Sequence, residues 1–302
     1  MPIQPIRQLQ PEWPTIAVLV GCYGLWLAAT WFYAALGPWL LLLIAAPLVT
    51  LHSSLQHEAL HGHPTRSAAL NEALVYPPLG LLFPYRRFRT LHLRHHNDAA
   101  LTDPYDDPES FYLAAAAWRR LPAWIQKMLD FNNTFLGRFA IGPLVMLVGF
   151  VASEIRLVRQ GAGRVLRAWL HHFAGIGLVF AWVSGVCGVP AWLYAVTAYL
   201  GLSILTIRTF AEHRAHETPG GRTVIIEANP LFGFLFLNNN LHYVHHEHPR
   251  VPWYDLPALY RSRRSEFLSA NGSYSYSGYA QVLRRYLLRT KSPVPHPFLR
   301  RG

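Results

Sequence analysis

The sequence predicts an all-α integral membrane protein: four transmembrane helices, paired as two hairpins, with a cytoplasmic helical cap that carries most of its histidines. Three observations support this. Of 302 residues, 52% are hydrophobic and only 14% are charged, where a soluble domain carries roughly 25% charged residues. Two stretches, Trp13 to His57 and Ala168 to Ile207, contain no Asp, Glu, Lys or Arg. Each is about twice the ~20 residues that one helix needs to cross a bilayer. The chain also holds 16 histidines, which neither burial nor solubility requires.

Gly37-Pro38 divides the first apolar block, giving spans at about 15–36 and 38–56, and Gly188-Val189-Pro190 divides the second, giving spans at about 168–187 and 190–208. Trp39 and Trp192 follow the two turns as interfacial anchors. Helices are the open-chain solution because lipid leaves backbone polar groups to be satisfied internally. Both turns lack basic residues, whereas Arg7, Arg86, Arg87, Arg89, Arg94, the Arg156 to Arg167 segment and the tail are basic. The positive-inside rule therefore places both termini and the long middle segment in the cytoplasm. The first block is too long for a signal-peptide core, so none is expected. Leu70–Tyr85, broken by three prolines, and the short Ala140–Ala152 stretch read as interfacial or re-entrant. With no internal repeat beyond the doubled hairpin and no linker, a single domain is expected over 1–302.

Two cysteines, Cys22 and Cys187, leave no material for a Cys-rich zinc module, a thiolate-ligated iron–sulfur cluster or a disulfide framework. The net charge of +11 fits membrane orientation and contact with anionic lipid better than nucleic-acid binding.

The histidines fall into four clusters: His57-Glu58-Ala59-Leu60-His61, His92-Leu93-Arg94-His95-His96, His213-Arg214-Ala215-His216 and His242-Tyr243-Val244-His245-His246. Residues three and four apart share a helix face, so each cluster aims its imidazoles in one direction, as chelation requires. At ~1.5 Å per residue the second and fourth helices reach His57 and His213 at a similar depth, and the other two clusters can fold beneath them. His57, His61, His92, His95, His96, His213, His242, His245 and His246 are too many ligands for one ion; two metals fit. Neutral nitrogen donors suit redox-active iron, whose open positions bind dioxygen, and the apolar setting points to an unactivated C–H bond of an acyl chain. Glu58, Asp98, Asp103, Asp106, Asp107, Glu212 and Asn238 are candidates to accept hydrogen bonds from the ligands' outer nitrogens. His52, His171, His172 and His296 read as satisfied interfacial residues, and His63, His216 and His248 fall outside the set.

These clusters resemble the histidine boxes of the membrane fatty-acid desaturase superfamily, His-x(3-4)-His, His-x(2-3)-His-His and His/Gln-x(2-3)-His-His on a four-span scaffold. The resemblance covers about Leu51 to Tyr260. It implies a non-haem diiron centre using dioxygen and two electrons, with His57 and His61 as the first box, His92, His95 and His96 as the second, His242, His245 and His246 as the third, and His213 as the extra ligand. Asn238-Asn239-Asn240-Leu241-His242 and His248 through Pro257 resemble bacterial members, which implies a bacterial inner membrane. The latter stretch and Asp103-Pro104 are also similar to carotenoid ketolases. Fatty acid desaturation is the expected reaction, with lipid hydroxylation or ketolation as the alternative. No cytochrome, ferredoxin or dinucleotide-binding segment is visible, so a ferredoxin-like or cytochrome-type donor must be external.

A different class remains open, because His57-Glu58-x-x-His61 is also the zinc hydrolase signature, in which Glu58 would be the general base of a membrane protease. That reading needs a further ligand, commonly an Asp on a later span, and the second hairpin has no acid. A non-catalytic haem or metal carrier is a third reading.

Overall fold

A computed structural model describes residues 11–97 and 100–298; Arg7 and Asp98 lie outside the described residues. The first helix, α1 (Trp13–Trp31), is joined through Phe32 to α2 (Tyr33–Leu60). Within α2 the backbone breaks at Gly37, with φ of 71°, and Pro38 opens the long run that follows. A side chain there would be strained, which is why glycine marks this turn. The first helix thus ends five residues before the expected Leu36, while α2 runs on past 56 and carries His57 inside its last turn. The second apolar block forms α8 (Gly163–Phe180), continued by a π-helical turn at Ala181–Val186, and α9 (Ala191–Glu212). Trp39 and Trp192 are among the most exposed aromatic residues.

Helices α2 and α9 run parallel and in contact. Thr50 Oγ1 donates to the Gly201 carbonyl at 2.7 Å, and a Cβ on Gly201 would sit 2.6 Å from Val49 Cγ1. The helices can approach this closely because position 201 has no side chain. Trp26 Nε1 of α1 donates to Tyr194 Oη of α9, 3.0 Å away. Leu41, Leu55, Leu193 and Tyr194 are fully buried between the helices, whereas Val20, Leu43, Leu170 and Leu178 point outward and exposed. An apolar exterior of this kind suits lipid.

Between α2 and α4 (Tyr85–His96) lies α3 (Ala68–Leu74), followed by the proline-broken segment 75–84. This segment turns in among the long helices. Leu79 is fully buried, its carbonyl accepts from Tyr194 Oη at 3.0 Å, and the Leu81 carbonyl pairs with His172 Nε2 at 2.8 Å. Irregular backbone survives in an apolar interior only when side chains satisfy it in this way.

Among the described residues five helices, rather than four, are long and apolar enough to cross a membrane. After α5 (Ala115–Arg120) and α6 (Ala123–Asn132) comes the additional one, α7 (Phe135–Arg159). It outruns the apolar stretch 140–152 because charges at both ends have partners distant in sequence. Arg138 is buried over the Phe111 ring, 5.1 Å from its centroid, and Glu154 is buried against Arg87 at 2.7 Å. Thr206 Oγ1 of α9 donates to the Arg138 carbonyl, so both ends of α7 touch elements that carry histidines.

The remainder packs at the ends of α2 and α9: α10 (Pro230–Leu235), α11 (His242–Glu247), α12 (Leu256–Ser262), α13 (Arg264–Ala270) and α14 (Tyr279–Tyr286). A two-residue parallel pair, Ile225–Ile226 with Ser275–Tyr276, fastens this layer.

Candidate metal centre

The last turns of α2 and α4, the end of α9 and the short α11 converge, and they bring all nine expected histidines into two adjacent groups. His57, His61, His92, His96 and His245 form one; His95, His213, His242 and His246 form the other. Helical spacing explains the sorting. His92 and His96 lie four apart and enter the same group, whereas His95, from a neighbouring face of α4, enters the other. The His96 and His246 rings stack across the boundary, 4.0 Å apart.

Within each group the Nε2 atoms face one another. The separations are 3.0 Å for His57–His92 and for His92–His96, 3.1 Å for His95–His213, 3.0 Å for His213–His242 and 3.2 Å for His242–His246. Two nitrogens bound at ~2.1 Å to one ion lie about 3.0 Å apart at a right angle and about 3.4 Å at the tetrahedral angle. The spacing therefore suits an ion with near-octahedral ligand angles.

The outer nitrogens fix the proton positions. His92 Nδ1 lies 2.9 Å from Glu109 Oε1, His95 Nδ1 2.7 Å from Asp107 Oδ1 and His242 Nδ1 2.8 Å from Asn239 Oδ1. Each oxygen accepts, so each Nδ1 bears the proton and each Nε2 turns a bare lone pair inward. His61 Nε2 and His245 Nε2 are buried with no hydrogen-bond partner among the described residues. Converging lone pairs and orphaned buried nitrogens are costly unless a cation receives them. Burial, then the crowding of neighbouring rings, pushes His213, His242, His245 and His246 well below the usual histidine range, so they are neutral donors. The donor set therefore fits two metal ions.

Other expected residues stand elsewhere. Asn238 Nδ2 donates to the Trp253 carbonyl and touches no clustered histidine; its neighbour Asn239 does. Helical spacing from His242 does not extend back to 238, because α11 starts at His242 and Leu237 and Asn238 have positive φ. Asp103 Oδ1 accepts from the Tyr105 amide at 2.8 Å and closes a turn. Glu58 Oε2 accepts from the Trp253 amide at 3.2 Å, and its Oε1 lies 3.9 Å from His57 Nδ1. Glu212 pairs with Arg208 at 2.7 Å and is 3.7 Å from His242 Nδ1. The Asp106 carbonyl accepts from Arg94. Glu109, Asn239 and Thr223, whose Oγ1 is 3.3 Å from His213 Nδ1, were not expected. Glu109 could have been suspected from the acid-rich run that supplies Asp107. His52 and His172 are buried rather than interfacial, paired with Tyr23 Oη and the Leu81 carbonyl.

Long apolar helices that carry two buried groups of imidazoles at one end define a membrane-embedded metal-site protein. The chain matches the fatty acid desaturase family over residues 31–278, and it belongs to that family. No curated protein matches it. Membership in this family makes it an integral membrane oxidoreductase, in keeping with its five apolar helices.

Proposed function

We propose that the chain is an oxygen-dependent lipid oxidase in which the nine histidines hold two irons, most simply a fatty acid desaturase. The single observation that supports this best is the division of nine imidazoles into groups of five and four, each with converging Nε2 atoms. When bound, the irons supply the oxidising power to break an unactivated C–H bond. Desaturation removes two hydrogens from the acyl chain; with dioxygen, two electrons and two protons the products are a double bond and two waters. The chain's own part is to hold Nε2 lone pairs inward through Asp107, Glu109 and Asn239, and to keep the rings buried. The electrons come from an external ferredoxin-like or cytochrome-type donor.

In this reading one domain crosses the membrane four times, through α1, α2, α8 and α9, and α7 lies along the surface. Its ends bond to α9 and α4, and Leu144, Val148 and Ile155 form an exposed stripe at four- and seven-residue spacing. The basic loops support a histidine end that faces the cytoplasm, in a bacterial inner membrane. The zinc hydrolase is disfavoured, since Glu58 Oε2 accepts from the Trp253 amide and, among the described residues, neither histidine group includes a carboxylate.

The test is expression in an aerated, iron-replete host of known lipid content, followed by mass spectrometry of total lipid. Loss of two hydrogens marks desaturation. Gain of one oxygen marks hydroxylation, and exchange of two hydrogens for one oxygen marks ketolation. Unchanged lipids alongside anaerobic hydrolytic activity overturn the proposal.

A further inference from the structure

The last turn of α9 delivers His213, and helix ends of this kind leave backbone carbonyls without partners inside the helix. Here each of the final carbonyls has a partner. The Ala211 carbonyl accepts from Tyr274 Oη at 2.7 Å and the Glu212 carbonyl from the Val224 amide at 3.0 Å. The carbonyls of Phe210 and His213 both accept from one ammonium, Lys291 Nζ, at 2.5 and 2.6 Å. That ammonium also lies over two aromatic rings, 4.6 Å from the Phe111 centroid and 5.4 Å from that of Phe210. A lysine sequestered this way on helix-end carbonyls is placed by the fold rather than by solvent.

Lys291 belongs to a C-terminal segment that runs as a strap across the histidine layer. The Leu287 carbonyl accepts from the Leu136 amide, the Lys291 amide donates to Asn133, and the Val294 carbonyl accepts from Leu113, whose own carbonyl accepts from His296. Tyr112 Oη donates to Ser292 Oγ and accepts from the Ala215 amide, two residues beyond His213. The strap thus grips the loop ending at Leu113, and this loop carries Asp107, the partner of His95, as well as Glu109, the partner of His92 in the other group. His95 and His213 are neighbours in the four-histidine group, 3.1 Å apart at Nε2. The strap reaches that group from two sides.

We propose that the C-terminal strap positions the four-histidine metal site, with Lys291 as the residue that fixes His213 by capping the end of α9. Lys291 touches neither substrate nor metal; it acts through the backbone of a ligand. The inference rests on the proposed metal binding at these histidines. Loss of the ammonium leaves two helix-end carbonyls unpaired and frees the His213 peptide to rotate. The five-histidine group, built from α2, α4 and α11, keeps all of its anchors.

The experiment compares full-length wild type, Lys291→Met and Lys291→Arg, expressed with ample iron and purified in detergent. The readouts are total bound metal per chain and the Mössbauer spectrum of isotope-enriched protein. Lys291→Met is expected to retain about half of the wild-type metal, with the loss confined to one of two iron environments. Lys291→Arg, whose guanidinium can donate to both carbonyls, restores it. Should the Met variant not purify, Lys291→Ala, which also leaves no donor for the two carbonyls, carries the same expectation. Undiminished metal without the cation, equal loss from both environments, or failure of Arg to restore metal overturns the proposal. A wild-type protein carrying another metal refutes the iron reading and leaves this comparison intact; a wild-type protein that binds no metal refutes both.

Discussion

Asp107 Oδ1 lies 2.7 Å from His95 Nδ1, with both side chains almost completely buried. Asp107 Oδ2 also accepts from the Thr102 amide at 2.8 Å, so the carboxylate is held from behind while it holds the ring. Asp107→Asn is expected to weaken metal binding by ~10–100-fold, as outer partners of metal ligands generally do. Competition with a chelator measures this. Unchanged affinity refutes the orienting role of the carboxylate.

His245 and His172 are both buried, yet they predict different phenotypes. His245 Nε2 is an orphan within the five-histidine group, while His172 Nε2 pairs with the Leu81 carbonyl. His245→Ala should abolish lipid oxidation and leave membrane insertion intact, because the apolar helices are untouched. His172→Ala should lower thermal stability, at about 1–3 kcal/mol for an unpaired buried carbonyl, with far less effect on turnover per folded molecule. Equal loss of activity in the two variants removes the distinction between ligand and structural histidine.

Glu58→Gln separates two chemistries. The glutamine carbonyl can still accept the Trp253 amide, so an oxidase loses at most ~10–100-fold. A zinc hydrolase would lose nearly all turnover with its metal retained. The assay pairs oxygen-dependent lipid oxidation with anaerobic hydrolysis.

Gly201→Val tests the contact between α2 and α9. Even a Cβ there meets Val49 Cγ1 at 2.6 Å and the Ala46 carbonyl at 2.9 Å, so overpacking of at least about 1–3 kcal/mol is expected. Gly24→Ala, with nothing within 4 Å of the new Cβ, should not lower the melting temperature in detergent. A Gly201→Val protein that melts with the wild type contradicts this packing.

The course of α7 is open to site-directed labelling. In a Cys187→Ser background, Asp130→Cys and Gln160→Cys flank the helix at exposed positions. A membrane-impermeant thiol reagent should reach both from the same side of the bilayer. Labelling from opposite sides makes α7 a fifth span.

The long apolar helices on either side of Gly37 and Gly188 were legible because charge-free runs and Gly-Pro breaks are local properties of the chain. The nine clustered histidines were legible for a similar reason: spacings of three and four fix a shared face before any tertiary contact forms. What escaped depends on partners remote in sequence. Arg138 and Glu154 cut short the apolar run of α7, and only Phe111 and Arg87 show why the helix continues through them. Asn239 replaced Asn238 because two positive-φ residues precede α11 and break the helical count. Glu109 reaches His92 through the fold of a proline-rich loop, which has no periodicity to extrapolate.

Three helices, α2, α4 and α9, end at the histidine groups with their C-terminal turns. Each helix end carries roughly half an electron's worth of negative potential from its aligned peptide dipoles. Facing one small volume, they add up to a field that favours cations there, although imidazole rings line its walls. The direction in which the helices run therefore already favours loading this end of the protein with cations, before any side chain is counted.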